Sequence, residues 1–208
     1  CRIVEIPVDE NGPDVSAIEN MAKLYKPKFF YSMAYFQTPT GVSCSLAKKR
    51  RILELAEKFN FYIIEDDNLY DFNYTKKDLL PLKALDFRNR VVYIKSFSKI
   101  LMPGLRMGFA VLPNKITQSI MNAKYTTDIS TSGVLQKALD IYFSKNTYKS
   151  HIKSVVNYAA GQYRHAVKYC DRFLKNKCSY TKPNGGISLW INTGVNYDAL
   201  SEALYSKN

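Results

Sequence analysis

The sequence is short of the residues that build several common sites. Its four cysteines, Cys1, Cys44, Cys170 and Cys178, form no Cys-x-x-Cys and no paired spacing. That removes structural zinc and thioredoxin-like chemistry and leaves reduced, partly buried thiols. Only two histidines occur, His151 and His165, fourteen positions apart; they make no local metal pair and read as surface or packing residues. No Gly-x-Ser-x-Gly elbow argues for a hydrolase, and no Walker loop for a magnesium–nucleotide site. No apolar run approaches the roughly 20 residues that span a bilayer. No membrane contact and a cytoplasmic location are the expectation. Acidic residues are outnumbered, 18 against 30 Lys and Arg, giving a formal charge of +12. The basic residues are nevertheless scattered. The short clusters Lys48-Lys49-Arg50-Arg51 and Lys175-Asn176-Lys177 read as solvated helix ends, not as a nucleic-acid face.

What is present is a globular chain, 46% hydrophobic and 13% aromatic over 208 residues, large enough for a sizeable core. Arg2 to Asp9 alternates like a strand and closes in a turn. Asp14 or Ser16 is placed to cap a helix through Leu24. Lys28 to Ala34 reads as a strand, and Ser45 precedes a helix from Leu46 to Asn60. Its apolar stripe is Leu46, Ile52, Leu53, Leu55, Ala56 and Phe59, with basic residues opposite. Phe61 to Glu65 is the next strand. Val91 to Ile94 is an unbroken apolar run expected to be covered on both faces, and Arg106 to Leu112 is a strand whose short link allows an antiparallel return. Helices follow at about Lys115–Lys124, Ser132–Phe143 and Thr147–Lys175. Trp190, the only tryptophan, sits in an apolar strand and reads as a core residue. Strand, helix, strand with polar motifs at successive tips is a βαβ pattern. The fold class predicted is α/β, three-layer α/β/α around a mainly parallel sheet.

The chemistry gathers after Ile94, at a strand's carboxyl end, where open α/β sheets bind ligands. Ser96, Ser98 and Arg106 bracket Lys99 with hydroxyl donors and a guanidinium, a set that suits a phosphate dianion. A lysine beside such a site invites a Schiff base.

Three motifs carry a family resemblance. They are Ser96-Phe97-Ser98-Lys99 with Pro103-Gly104-Leu105-Arg106-Met107-Gly108, then Gln37-Thr38-Pro39-Thr40-Gly41, then Ile63-Ile64-Glu65-Asp66-Asp67. Together they resemble the fold-type I aminotransferases of class I/II, which use pyridoxal 5'-phosphate (PLP). The wording is most similar to the aminotransferase-like domain of MocR/GntR-type transcriptional regulators, where the fold senses an effector. The alternative is a free-standing amino-acid aminotransferase of the aminoadipate or kynurenine type. The resemblance implies that Lys99 holds PLP and moves the substrate proton. Asp66 keeps the pyridine nitrogen protonated, and Asp67 is a solvated or capping neighbour. Ser96, Ser98 and Arg106 hold the phosphate, and Thr38 and Asn68 lie at the ring. Thr38 stands where the family usually has asparagine. Asn68 and Leu69 stand where many members place a tyrosine, with Tyr70 one step late.

The resemblance also implies a division. Residues 1–146 are the PLP-binding large domain lacking its N-terminal part, 147–175 a linking helix, and 176–208 the start of a small α+β C-terminal domain, with Cys178–Thr181 and Gly186–Ile191 its first strands and Asn196–Tyr205 its helix. A glycine-rich phosphate loop and a stacking aromatic are expected before Cys1, and a carboxylate-binding arginine beyond Asn208. The expected partners are an amino or keto acid, a second copy in a homodimer, and DNA only through a domain outside these residues.

Overall fold

The computed structural model describes residues 2–75, 79–145 and 147–206. Of the expected first strand only Val8–Asp9 (β1) pairs, antiparallel with Gly12–Pro13 (β2). Alternation alone did not make Arg2 to Pro7 a strand, because a ladder needs a neighbour for its N–H and C=O groups.

Two short polar side chains start the first helices. Asp14 Oδ1 accepts from the backbone N–H of Ser16 at 2.8 Å and of Ala17 at 3.1 Å, opening α1, Val15–Tyr25. Strand β3, Phe29–Ser32, follows. Ser45 Oγ accepts from Lys48 N at 3.4 Å and opens α2, Leu46–Lys58. Each cap satisfies donors that the helix itself cannot. Strands β4 (Tyr62–Asp67), β5 (Val91–Ser96) and β6 (Gly108–Val111) complete a four-stranded sheet in the order β3-β4-β5-β6. The first three are parallel, and β6 returns antiparallel. The architecture is therefore α/β with a mixed, mostly parallel sheet, as expected.

One face of this sheet is packed. Ile18 and Ala22 of α1 and Ile52, Leu55 and Ala56 of α2 bury against Phe61, Ile63 and Val91. Each large aliphatic or aromatic side chain taken wholly from water contributes about 1.5–3 kcal/mol. Glu65 is buried on the same face, and its carboxylate accepts from Leu82 N at 2.7 Å and Lys83 N at 2.8 Å. It thereby caps the 3-10 turn Leu82–Leu85.

Several expectations need correcting. Lys49 is not a solvated helix-end residue. It shares the face of Ile52 and Ala56, is 1% exposed, and donates from Nζ to Leu80 O at 2.9 Å while lying 3.3 Å from the Tyr35 ring centroid. Leu46, assigned to the apolar stripe, is exposed instead. On β5, Val91 and Val92 are buried but Ile94 is 37% exposed, nearer the strand's carboxyl end on the face that also carries the exposed Phe29 and Tyr31. Trp190 is 48% exposed and lies outside a strand; only Ile191–Asn192 of its stretch pairs. Cys1 lies outside the described residues; Cys44, Cys170 and Cys178 are free thiols.

After the sheet come α3 (Asn114–Asp128), α4 (Gly133–Ser144) and α5 (Thr147–Phe173). They are followed by the pair β7 (Ser179–Tyr180) and β8 (Ile191–Asn192), and by α6 (Tyr197–Tyr205). A second core joins the strand-tip loops to these helices through Phe36, Leu69, Phe72, Phe97, Ile100, Met107 and Leu139, with Ile152, Val155 and Ala159 of α5 against them. Residues 184–186 lie on the same loops. Gly186 N–H donates to Phe72 O at 2.9 Å and Tyr74 N–H to Asn184 O at 3.0 Å. A Cβ at Gly185 would overlap the Phe36 ring and the Phe72 carbonyl, so the close approach requires glycine. No helix among the described residues is long and apolar enough to cross a membrane.

Gly185→Ala is expected to destabilise by about 1–3 kcal/mol through this overlap. Gly161→Ala in α5, where the nearest atom is a mobile Arg164 nitrogen at 3.9 Å, is expected to stabilise by about 0.5–1 kcal/mol; urea unfolding of both variants checks the opposite signs. Burial pulls the Lys49 amine down to about 8, whereas an unfolded lysine stays charged to about pH 10.4. Between these values the unfolded chain binds the extra proton, so the Lys49 contribution to stability rises with pH. The Cys44 thiol, pushed up to about 11 by burial, acts with the opposite sign, so the measurement is a difference. Lys49→Met should lose stability relative to wild type as pH rises from about 8 to 10.

Candidate cofactor site

The parallel strands β3, β4 and β5 end at the same side of the sheet, and antiparallel β6 begins there. Gln37–Gly41, Asp66–Asn68 and Ser96–Arg106 are the segments that leave those ends. The Gln37–Gly41 turn is closed by Gly41 N–H to Gln37 O at 2.6 Å and Gln37 N–H to Val42 O at 2.9 Å. Thr38 is exposed on it.

The lysine loop is a closed excursion between β5 and β6. Phe97 N–H donates to Met107 O at 3.1 Å, and Ser96 sits opposite Gly108. Within it Leu101 N–H donates to Phe97 O at 2.9 Å, forming a turn that presents Lys99 to solvent. His151 of α5 braces the turn, its Nε2 lying 2.8 Å from Ile100 O. Ser96 and Ser98 are half-buried, and Ser96 Oγ accepts from Ser98 N–H at 3.2 Å. That acceptance leaves the Ser96 hydroxyl proton free to donate to a ligand. Arg106 is exposed in the left-handed region (φ 50°), and its N–H donates to Pro103 O at 3.4 Å.

The two aspartates of β4 point to opposite faces. Asp66 is half-buried and accepts from Tyr31 Oη at 2.7 Å. Asp67 is buried rather than solvated, although it does cap locally, accepting from Tyr70 N at 3.1 Å. It also accepts from the Tyr93 hydroxyl and lies 3.7 Å from Lys95 Nζ. Burial raises its proton affinity, and Lys95 and the Tyr93 hydroxyl oppose that. Asp71 completes the cluster with Oδ2 2.6 Å from the same ammonium. This contact compensates its charge, although Oδ2 has no hydrogen bond of regular geometry.

Asn68 is different. Its Oδ1 is buried with no partner among the described residues, and such an atom calls for a ligand to complete it. Tyr70 does not replace the tyrosine that many family members carry nearby, because its hydroxyl donates to Leu79 O at 3.0 Å. Together the exposed amine, the free serine hydroxyl, the guanidinium and the orphaned amide fit a phosphorylated aldehyde with a polar ring. A separate cleft of about 780 Å³ flanks the Thr40–Gly41 turn, lined by Tyr35, Lys49, Leu80 and Pro183.

Residues 1–207 match the family of aminotransferases class I and II. The chain belongs to that family. Over 146 residues, 70% of this chain and 33% of the relative, it is 40% identical to an uncharacterised HTH-type transcriptional regulator, YcxD, of Bacillus subtilis. Among solved structures it resembles kynurenine aminotransferase of Pyrococcus horikoshii, in complex with PMP, with TM-score 0.92 and 29% identity over 98% of this chain and 52% of that one. It also resembles α-aminoadipate aminotransferase of Thermus thermophilus, complexed with N-(5'-phosphopyridoxyl)-L-leucine, with TM-score 0.89 and 28% identity over 98% and 54%. The chain thus spans from a third to about half the length of these proteins. Pyridoxal phosphate is the cofactor that the aminotransferase family and these complexes support.

Tyr31, Lys95 and Asp71 carry no motif: strand register brings Tyr31 near Asp66 and Lys95 opposite Asp67, and the turn after β4 brings Asp71 to Lys95. Lys95→Met is expected to destabilise by about 3–5 kcal/mol, since it strands the Asp67 and Asp71 carboxylates in a poorly hydrated place. Adding Asp67→Asn and Asp71→Asn should recover most of that loss in urea melts, which a simple packing defect at position 95 would not allow.

Proposed function

We propose that this chain is a PLP-binding aminotransferase-like domain that acts on amino or keto acids through Lys99. The observation that carries it is the presentation of Lys99 from a closed loop beside the strand end that bears Asp66 and the orphaned Asn68 amide. When bound, PLP supplies an electrophilic aldehyde carbon and a protonated ring that withdraws electron density. The Lys99 amine would hold that carbon and, as a free base, would move a proton at the substrate α-carbon. The Asp66 carboxylate would keep the proton on the ring nitrogen. Ser96, Ser98 and Arg106 would neutralise and orient the phosphate, and Thr38 and Asn68 would lie at the ring.

In this reading residues 1–146 are the cofactor-binding part, 147–175 the linking helix and 176–208 the start of the small domain, and two copies build the working protein. The domain serves as the effector sensor of a MocR/GntR-type regulator, with DNA bound by a separate domain. The 40% identity to an HTH-type regulator supports this use, as do Thr38 and Leu69 at positions where the family tunes the ring. A free-standing kynurenine or aminoadipate aminotransferase is the second reading, supported by the likeness to those two enzymes. The coding sequence upstream of Cys1 separates them, a basic winged helix deciding for the regulator.

Borohydride reduction with PLP, followed by peptide mapping, is expected to place the pyridoxyl group on Lys99 and to find none there in Lys99→Ala. Ser98→Ala and Arg106→Ala should keep the label but weaken PLP by about one to two orders of magnitude, the worth of one charge-assisted donor. Label on another lysine in the wild type would refute the assignment.

A further inference from the structure

Strand β3 contributes a residue to the site that no motif marks. Its pairing with β4 sets Tyr31 opposite Ile64, so Asp66 lies two positions farther along the neighbouring strand on the same face. That spacing is within reach of a phenol. The Tyr31 hydroxyl donates to Asp66 Oδ2 at 2.7 Å, and among the described residues it is the one side chain hydrogen-bonded to that carboxylate. The acid next to it is served by a separate group on the opposite face, Lys95, Tyr93 and the Tyr70 N–H. The two acids therefore answer to different partners.

We infer that Tyr31 is a positioning residue for the cofactor ring: its hydroxyl pins one oxygen of Asp66 and leaves Oδ1 to accept the ring nitrogen's N–H. The inference rests on Asp66 being the ring's carboxylate. A donor fixed on Oδ2 restricts rotation of the carboxyl group. It also occupies Oδ2, so that the ring's N–H is directed to the other oxygen. The phenol stays a donor throughout the useful pH range, because burial and the Asp66 carboxylate push its own ionisation up to about 12. The Arg90 guanidinium, 5.6 Å from the Tyr62 ring centroid, sits at the far end of the strands. Tyr31 is 58% exposed, so removing its hydroxyl leaves the packed face of the sheet untouched.

The test compares wild type, Tyr31→Phe, Asp66→Ala and the double variant, each as the full chain saturated with PLP. It reads the pH midpoint of the bound cofactor's visible absorbance together with PLP affinity. With Tyr31→Phe the ring loses part of its positive character and the nearby imine nitrogen holds its proton more tightly. The midpoint should rise by up to about one unit, a tenfold change in proton affinity. Asp66→Ala should move it further, and adding Tyr31→Phe to Asp66→Ala should do nothing more, a non-additivity that a merely structural tyrosine would not give. An unchanged midpoint in Tyr31→Phe, with a shifted one in Asp66→Ala, overturns the inference alone. An unchanged midpoint in Asp66→Ala overturns the assignment of Asp66, and the inference falls with it.

Discussion

The pairing of β4 with β5 is the constraint on which the cofactor end depends. In this register Asp67 meets Lys95 on the packed face, and Asp66 meets Ile94 on the other. A slip of one residue would exchange the faces, as it does in any strand. Asp66 would then be carried inward to a lysine it does not now serve, and Asp67 outward, away from Lys95 and Tyr93. Leaving an ion buried without its partner costs several kcal/mol. The ionic cluster thus acts as a register lock, and the ladder hydrogen bonds alone would not discriminate so sharply.

Two adjacent carboxylates consequently do unlike work. Asp67 is spent internally: it caps Tyr70, accepts from Tyr93 and balances Lys95. Asp66 stays half-buried with one hydroxyl partner, so it has an oxygen to give to a ligand. The assignment of roles follows from strand alternation rather than from any difference in the residues, both of which are aspartate. The same logic separates Lys49, whose amine is committed to the Leu80 carbonyl and the Tyr35 ring, from Lys99, whose amine faces solvent.

The strand tips and their motifs were legible in the sequence because turn residues and short polar runs interrupt apolar stretches there. Helix starts at Asp14 and Ser45 were legible for a similar local reason, since a cap is a property of a few consecutive residues. What depended on partners was not. The stretch Arg2 to Pro7 alternates like a strand but joins no ladder among the described residues. Ile94 belongs to an apolar run yet points to an uncovered face, and Lys49 sits in a basic cluster while its helical phase turns it into the core. Tyr31 could have been placed beside Asp66 only with the β3–β4 register in hand, because two parallel strands joined through a helix can be aligned several ways.

The order of the four strands across the sheet is their order along the chain. Each of these strands therefore lies beside the one synthesised just before it, and among the described residues none is inserted between two earlier ones. On a ribosome, where a chain emerges from its N-terminal end, these four strands can pair in step with translation. The carboxylate strand is then already seated when the lysine strand arrives, and β6 closes the lysine loop at once. Of these four strands the last to arrive is β6, and its pairing with β5 closes the loop that carries Lys99, so a chain halted before it holds the aspartates of β4 without that closed loop.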